Sequence, residues 1–288
     1  MQLHTTHFSA LGSRNEIQLY LPESTSAKEY IEPVIREINR IEKKYSRYQP
    51  DSLLSKINQN AGIQPVALDE ETEGLLHYAE QCHVASNGMF DITSGILRKV
   101  WRFDKESTLP SREEISRLVP RIGWKNVFRE PGGVFLRKKG MEIDFGGIGK
   151  EYAADRAAQL LQELGINHGM VNLGGDIRAV GPQADGSPWK IGIQSPAQPS
   201  AIHTIFPLYV GAIATSGSYE RVITIGSKQY CHLLNPMTGW PIEDAFSSVS
   251  VIADHCMVAG SITTIAMLLG RQSGEQWLRE SGLQYLAE

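Results

Sequence analysis

The chain has 288 residues, 41% of them hydrophobic, and its 28 basic and 32 acidic side chains leave a net charge of −4. That composition supplies a sizeable buried core and excludes a disordered chain. It also excludes a basic stripe of the kind that grips nucleic acid, and no apolar run reaches the ~20 residues of a membrane-inserted helix.

In chain order, Met1 to His7 lack the basic start and continuous apolar stretch of a secretory signal, so a cytoplasmic protein is expected. Residues 15–21 (Asn-Glu-Ile-Gln-Leu-Tyr-Leu) alternate like a strand. From Lys28 to Tyr45, Ile31, Val34, Ile35, Ile38 and Ile41 recur at helical spacing, and the segment around Pro50 ends that helix. A second helix is predicted over 69–86, with Asp69 as N-cap and Leu75, Leu76, Ala79 and Cys82 facing inward. Asn87-Gly88 closes it. Cys82, Cys231 and Cys256 are odd in number and widely spaced, which indicates neither a disulfide framework nor a thiolate metal site.

Met141 to Phe145 reads as a strand, followed by Gly146-Gly147-Ile148-Gly149-Lys150. A helix then starts near Glu151 and buries Ala153, Ala157, Leu160, Leu161 and Leu164. Gly169 to Leu173 is the next strand and stops at Gly174-Gly175-Asp176. Further strands are predicted at 189–194, 208–214, 221–226, 229–234 and 247–253. A helix over 257–269 turns Val258, Ile262, Ile265, Ala266 and Leu269 into the core. Strands with alternating faces and hairpin spacing outnumber helices, so the fold class is α+β, one domain over 1–288 with largely antiparallel sheets and flanking helices. Flat sheet edges in such a domain admit a homodimer.

Five segments could carry chemistry. In Asp144-Phe-Gly-Gly-Ile-Gly-Lys150 the glycines let backbone approach a ligand, and free N–H groups at the helix start attract anions. Lys150 adds a positive charge suited to phosphate. Glu151 stands where a Walker loop needs Ser or Thr, and the spacing is not GxGxxG either. A tight turn with a solvated lysine fits the same residues. Val171-Asn-Leu-Gly-Gly-Asp176 brackets a double glycine with Asn172 and Asp176, which serve either a ligand or an ordinary capped turn. In Ala214-Thr-Ser-Gly-Ser-Tyr-Glu-Arg221, Ser216 and Ser218 could donate to phosphate or ribose oxygens and Arg221 could pair with a phosphate, or the whole could be a solvated loop. Strand alternation in Tyr230-Cys-His232-Leu-Leu-Asn235-Pro-Met-Thr-Gly239 places His232 on the face of Tyr230 and Leu234, as a catalyst or as a satisfied histidine. Gly260 and Thr264 lie one turn apart opposite the apolar stripe of the last helix, a face suited to close packing or to a site.

Taken in order, these segments resemble the flavin transferases of the ApbE type, the FAD:protein FMN transferases, over nearly the whole chain. The resemblance takes in Ser46-Arg47-Tyr48-Gln-Pro-Asp51-Ser-Leu-Leu-Ser55-Lys-Ile-Asn58, Gly88-Met-Phe90-Asp91-Ile-Thr93-Ser-Gly95 and Trp101 as well. It implies a site for FAD and for a magnesium ion (Mg2+) bridging the pyrophosphate. It implies transfer of the FMN half to a threonine hydroxyl of an acceptor flavoprotein, with release of AMP. By this resemblance Tyr48 stacks on the isoalloxazine, and Gly146, Gly147 and Lys150 line the nucleotide with Asn172, Gly174, Gly175 and Asp176. His232 is the acid–base candidate, and the carbonyl of Gly149 and hydroxyl of Thr264 match metal-site positions.

Three positions depart from the family pattern. Gly260 stands where an aspartate usually sits one turn before the metal-binding threonine, Asn235 stands for an aspartate before proline, and Glu151 follows the lysine where a small residue is usual. A hard cation prefers a carboxylate. The loss at Gly260 therefore favours, as an alternative, an FAD-binding protein without transferase activity. A magnesium-dependent FAD pyrophosphatase giving FMN and AMP is the other alternative, the same chemistry with water as acceptor. A carboxylate restored at Gly260 is predicted to tighten the metal.

Overall fold

The computed structural model describes residues 1–104, 108–196, 198, 201–219, 222–225 and 228–288. A hairpin of β1 (Gln2–Ala10) and β2 (Ser13–Leu21) leads into α1 (Ala27–Tyr45) and α2 (Leu53–Gln59). Then come β3 (Val66–Ala67), α3 (Glu70–Ala85), a 3-10 stretch Ile92–Lys99 and α4 (Arg112–Leu118). β4 (Val127–Glu130) and β5 (Gly133–Leu136) precede α5 (Gly149–Glu163), β6 (Gly169–Leu173) and β7 (Asp176–Gly181). After β8 (Trp189–Gln194), β9 (Ile202–Leu208), β10 (Gly211–Gly217), β11 (Val222–Ile225) and β12 (Lys228–Cys231), the chain ends in β13 (Ser248–Ala253), α6 (Cys256–Glu280) and β14 (Gln284–Ala287).

Every strand pairing among the described residues is antiparallel. Seven strands form the main sheet in the order β1-β2-β6-β7-β10-β13-β14, so the class is α+β with flanking helices. Its central strands are buried on both faces. One face, with Val171, Leu173, Ala214, Val249 and Val251, packs under the helices. The other, with Met170, Ile177, Ala179 and Ile213, lies under the β8–β9 hairpin through Trp189, Ile191 and Ile193. β8 buries alternate residues, as its sequence pattern requires. A smaller cluster of Ile96, Leu97, Trp101, Ile115 and Ile223 ties the 3-10 stretch to α4 and the β11–β12 hairpin. No helix among the described residues is long and apolar enough to cross a membrane.

The structure corrects several sequence expectations. Met141–Phe145 is not a strand. Its backbone is held by a side chain instead: Asn58 donates to the Ile143 carbonyl (3.0 Å) and accepts from the Ile143 N–H (2.8 Å). The strand expected over 229–234 ends at Cys231, so His232 lies past it and strand alternation does not set its face. The strand expected from 208 starts at Gly211, because Ile202–Leu208 already pairs with β8. Leu164 caps α5 with 38% of its surface exposed, instead of facing inward.

The last helix meets its expected orientation in part: Ile265 and Ala266 are buried as expected. Its deepest residues include Ala259, Gly260, Thr263 and Ala266, whereas Val258, Ile262 and Leu269 are only half-buried. Small residues let α6 settle closely against β10, β13 and α5. The helical run breaks at Gly270, in keeping with the expected end at 269.

Candidate functional site

The site grows from the segment that follows α1. The Ser52 hydroxyl donates to the Ser46 carbonyl (2.6 Å) and accepts from the Ser55 N–H (2.9 Å), which caps α2 and fixes the turn around Tyr48. Tyr48 is 77% exposed. The Arg47 guanidinium lies 5.0 Å from its ring centre, donates to its hydroxyl (2.9 Å) and forms an ion pair with Asp144. Asp144 in turn accepts from the Gly146 N–H (3.1 Å). An exposed aromatic ring is thereby anchored to the first glycine loop. Arg47 and Asp144 had no assigned role in the sequence; their signal was a lone cation beside Tyr48 and a lone acid opening the loop.

Gly147 has φ +88°, a left-handed backbone that an L side chain rarely adopts, and the hydroxyl and methyl of Thr264 approach to within 3.6 Å of where a Cβ would stand. Thr264 therefore does face the loop. Its hydroxyl lies 3.4 Å from that of Ser216, which also shares a hydrogen bond with Thr263 (2.8 Å). Ser218 is not brought to this cluster: its N–H and hydroxyl both turn to the Ser247 carbonyl. Arg221 lies outside the described residues. Gly149 is the first residue of α5.

The second loop is the two-residue turn of the β6–β7 hairpin. Gly174 (φ +61°) and Gly175 (φ +100°) are both left-handed, as such a turn needs, and the Asn172 carboxamide accepts from the Gly175 N–H (2.9 Å). The Lys150 ammonium pairs with Asp176 (2.8 Å) and sits over the turn, 3.6 Å from where a Gly174 Cβ would stand. The two loops meet through this pair. Asp155 of α5 accepts from the N–H groups of Cys256 and Met257 (2.8 and 3.0 Å), which docks the start of α6 against the same helix.

Two acids are buried beneath the loops. Asp176 is 4% exposed, and burial raises its carboxyl above its ordinary range, although Lys150 opposes the rise. Glu151 is 6% exposed; burial, then the neighbouring Asp176 charge, pushes its carboxyl up to about 8, again with Lys150 opposing. Among the described residues its Oε2 has no hydrogen-bond partner. Gly260 does not look into the site unobstructed. A Cβ placed there would stand 2.5 Å from Glu151 Cγ and 3.0 Å from Oε1. No group of three or more His, Cys, Asp and Glu converges among the described residues.

His232 lies at the edge of the smaller core, its ring packed edge-on to Phe103 with centroids 6.3 Å apart. The following turn is fixed by Asn235, whose Oδ1 accepts from Met237 (2.8 Å) and Thr238 (3.2 Å). Trp101 donates to the Gly239 carbonyl (2.8 Å), which binds this turn to the 3-10 stretch.

The ApbE family model matches residues 11–287. An FAD:protein FMN transferase of Klebsiella pneumoniae (strain 342) is 32% identical over 246 residues, covering 83% of this chain and 70% of that protein. The FAD:protein FMN transferase of Escherichia coli (strain K12) is 28% identical over 269 residues, covering 91% and 77%. Among solved structures, the ApbE protein of Thermotoga maritima superposes with a TM-score of 0.89 at 31% identity, covering 99% of this chain and 94% of that one. The flavin transferase ApbE of Vibrio cholerae gives 0.88 at 28% identity, with the same coverage.

Proposed function

The chain belongs to the ApbE family, and from that membership we propose that it transfers FMN from FAD to a threonine hydroxyl of an acceptor protein. The threonine oxygen attacks the FMN-side phosphorus of the pyrophosphate. The bond from that phosphorus to the bridging oxygen breaks, AMP leaves with that oxygen, and an FMN–threonine phosphoester remains.

The observation that carries this reading is the meeting of two glycine turns, an ammonium and an anchored, exposed aromatic ring. Gly146, Gly147, Gly174 and Gly175 leave backbone uncovered where phosphates can approach, with Lys150 and Asp176 bridging the turns. Asn172 shapes the second turn, and the Ser216 hydroxyl beside Thr264 adds a polar contact for the nucleotide. Tyr48 offers its face to the isoalloxazine while Arg47 holds it from behind. His232, its ring positioned by Phe103, takes the proton of the attacking hydroxyl.

A magnesium ion fits these residues. Thr264 offers a hydroxyl and Gly149 a carbonyl, and a buried acid oxygen without a hydrogen-bond donor is the feature that a cation resolves. When bound, such an ion neutralises charge on the pyrophosphate as the leaving group departs. So few protein oxygens hold magnesium weakly alone, so its affinity should rise once FAD supplies phosphate oxygens.

The test is AMP release from FAD and Mg2+ with and without an acceptor domain. Transferase activity requires AMP release that depends on the acceptor and an acceptor that carries FMN. Equal release without acceptor would mean hydrolysis to FMN and AMP, and none in either case would mean binding alone.

A further inference from the structure

We propose that Glu151 is the carboxylate ligand of the divalent-cation site, reaching it from α5 through the space that Gly260 leaves on α6. This rests on the transferase reading above and assigns a ligand role to a residue of this chain. Three observations carry it.

First, the Glu151 side chain fills the volume that any side chain at position 260 would occupy. The hypothetical Cβ falls 2.5 Å from its Cγ, 3.0 Å from Oε1 and 3.1 Å from Cδ. Second, residues 260 and 264 are one helical turn apart and share a face, so the Glu151 carboxyl enters the row that ends in the Thr264 hydroxyl beside Gly147. Third, Glu151 is 6% exposed, and its Oε2 has no hydrogen-bond partner among the described residues. Its neighbour Asp176 also buries an oxygen, Oδ2, without a hydrogen bond, but the Lys150 ammonium pairs with that oxygen at 2.8 Å, and among the described residues Glu151 forms no such ion pair. Burying an acid oxygen with nothing to meet it is costly, and a metal ion bound alongside the Thr264 hydroxyl supplies the missing partner.

Glycine is also a poor helix former, and Gly260 lies inside α6, not at its end. A packing reason is required, and the Glu151 side chain provides one. Two departures that looked independent in the sequence, a lost acid on α6 and a gained acid on α5, are one exchange of a carboxylate between facing helices. Restoring an acid at position 260 alone therefore crowds Glu151 instead of improving the site, which reverses the effect predicted from sequence.

The experiment is calorimetric titration of Mg2+ into the FAD-loaded protein, without acceptor, alongside melting curves and FAD affinity in EDTA. The parent chain, Glu151→Gln, Gly260→Asp and the double variant Glu151→Ala with Gly260→Asp are compared. Glu151→Gln should weaken Mg2+ at least tenfold while FAD affinity in EDTA changes less than twofold. Gly260→Asp alone should lower the melting temperature and weaken Mg2+. The double variant should bind Mg2+ within about threefold of the parent, which a purely structural Glu151 would not bring about. Parent-like Mg2+ binding by a folded Glu151→Gln would overturn the proposal and leave the FAD reading standing. If Glu151→Gln does not fold, failure of the folded double variant to recover Mg2+ binding would overturn it equally. A parent chain that binds FAD but no Mg2+ would overturn both the ligand role and the magnesium reading.

Discussion

Two glutamates on neighbouring helices, Glu71 and Glu151, show how differently this molecule treats a charge that holds the fold and one that serves a site. Glu71 opens α3 and meets donors on both oxygens. Arg40 reaches them at 2.9 and 2.6 Å, Tyr152 donates at 2.6 Å, Tyr45 at 3.3 Å, and Lys44 forms an ion pair. Burial alone would raise its carboxyl, but the hydrogen bonds from Arg40, Lys44 and Tyr152 outweigh it and hold Glu71 well below the ordinary range. Glu151 is more deeply buried, is pushed up to about 8, and keeps an oxygen with no donor. An acid satisfied from within the protein is part of the scaffold. An acid left open in the interior waits for a ligand from outside.

The largest expected effect separates these roles by stability. Removing Glu71 leaves Arg40 and the mostly covered Lys44 without their shared partner. Because the group is partly solvated, Glu71→Ala should cost about 2–3 kcal/mol, below the ~3–5 kcal/mol of a fully buried pair. Urea unfolding measures it, and a cost under about 0.5 kcal/mol would remove Glu71 from the scaffold.

The same contrast divides two nearby tyrosines. Tyr45 is buried and hydrogen-bonded to Thr72 at 3.0 Å, whereas Tyr48 is exposed. Tyr48→Ala should weaken FAD binding by about 1–3 kcal/mol, the range for stacking on an aromatic side chain. Its unfolding free energy should stay within about 0.5 kcal/mol of the parent, as for other surface changes. Unaltered FAD affinity would end the stacking role.

Acid titration sharpens the comparison further. The folded Glu71 carboxyl titrates below its ordinary 4.5, so the stabilisation it gives is complete above that value and is lost as pH falls through the folded value. Glu71→Gln lacks this term, so its stability should decline less steeply than that of the parent below about pH 4.5. Identical acid limbs would contradict the assignment. The smallest effect is expected at the open acid: in metal-free protein at neutral pH, Glu151→Gln should change stability by less than about 1 kcal/mol, because no hydrogen bond to Oε2 is lost.

Much of this was legible in the sequence where one local rule sufficed. The α1 stripe, the Asp69 cap of α3 and the alternation of β8 are such cases. The ordered motifs pointed to both glycine loops and to Thr264. Edge strands were harder, since β1 and β14 are largely exposed or half-exposed and lack a buried alternating face. β7 is buried on both faces and does not alternate either. Residues 141–145 looked like a strand because their composition is right, yet their pairing partner is the Asn58 side chain. The face of α6 was legible in Ile265 and Ala266 but not in Val258, Ile262 and Leu269, because apolar size was taken for burial while close packing put small residues innermost. The exchange between Glu151 and Gly260 depends on contact between positions far apart in sequence, and only the fold brings them together.

Passage of FMN from FAD to a threonine is read out by intact-mass spectrometry of an acceptor domain. The domain is incubated with the chain, FAD and Mg2+, beside a control in which its target threonine is replaced by alanine. The acceptor should gain one FMN as a phosphoester, the control should gain none, and AMP should appear in equal amount. AMP release with an unmodified acceptor, or no consumption of FAD at all, would contradict that transfer.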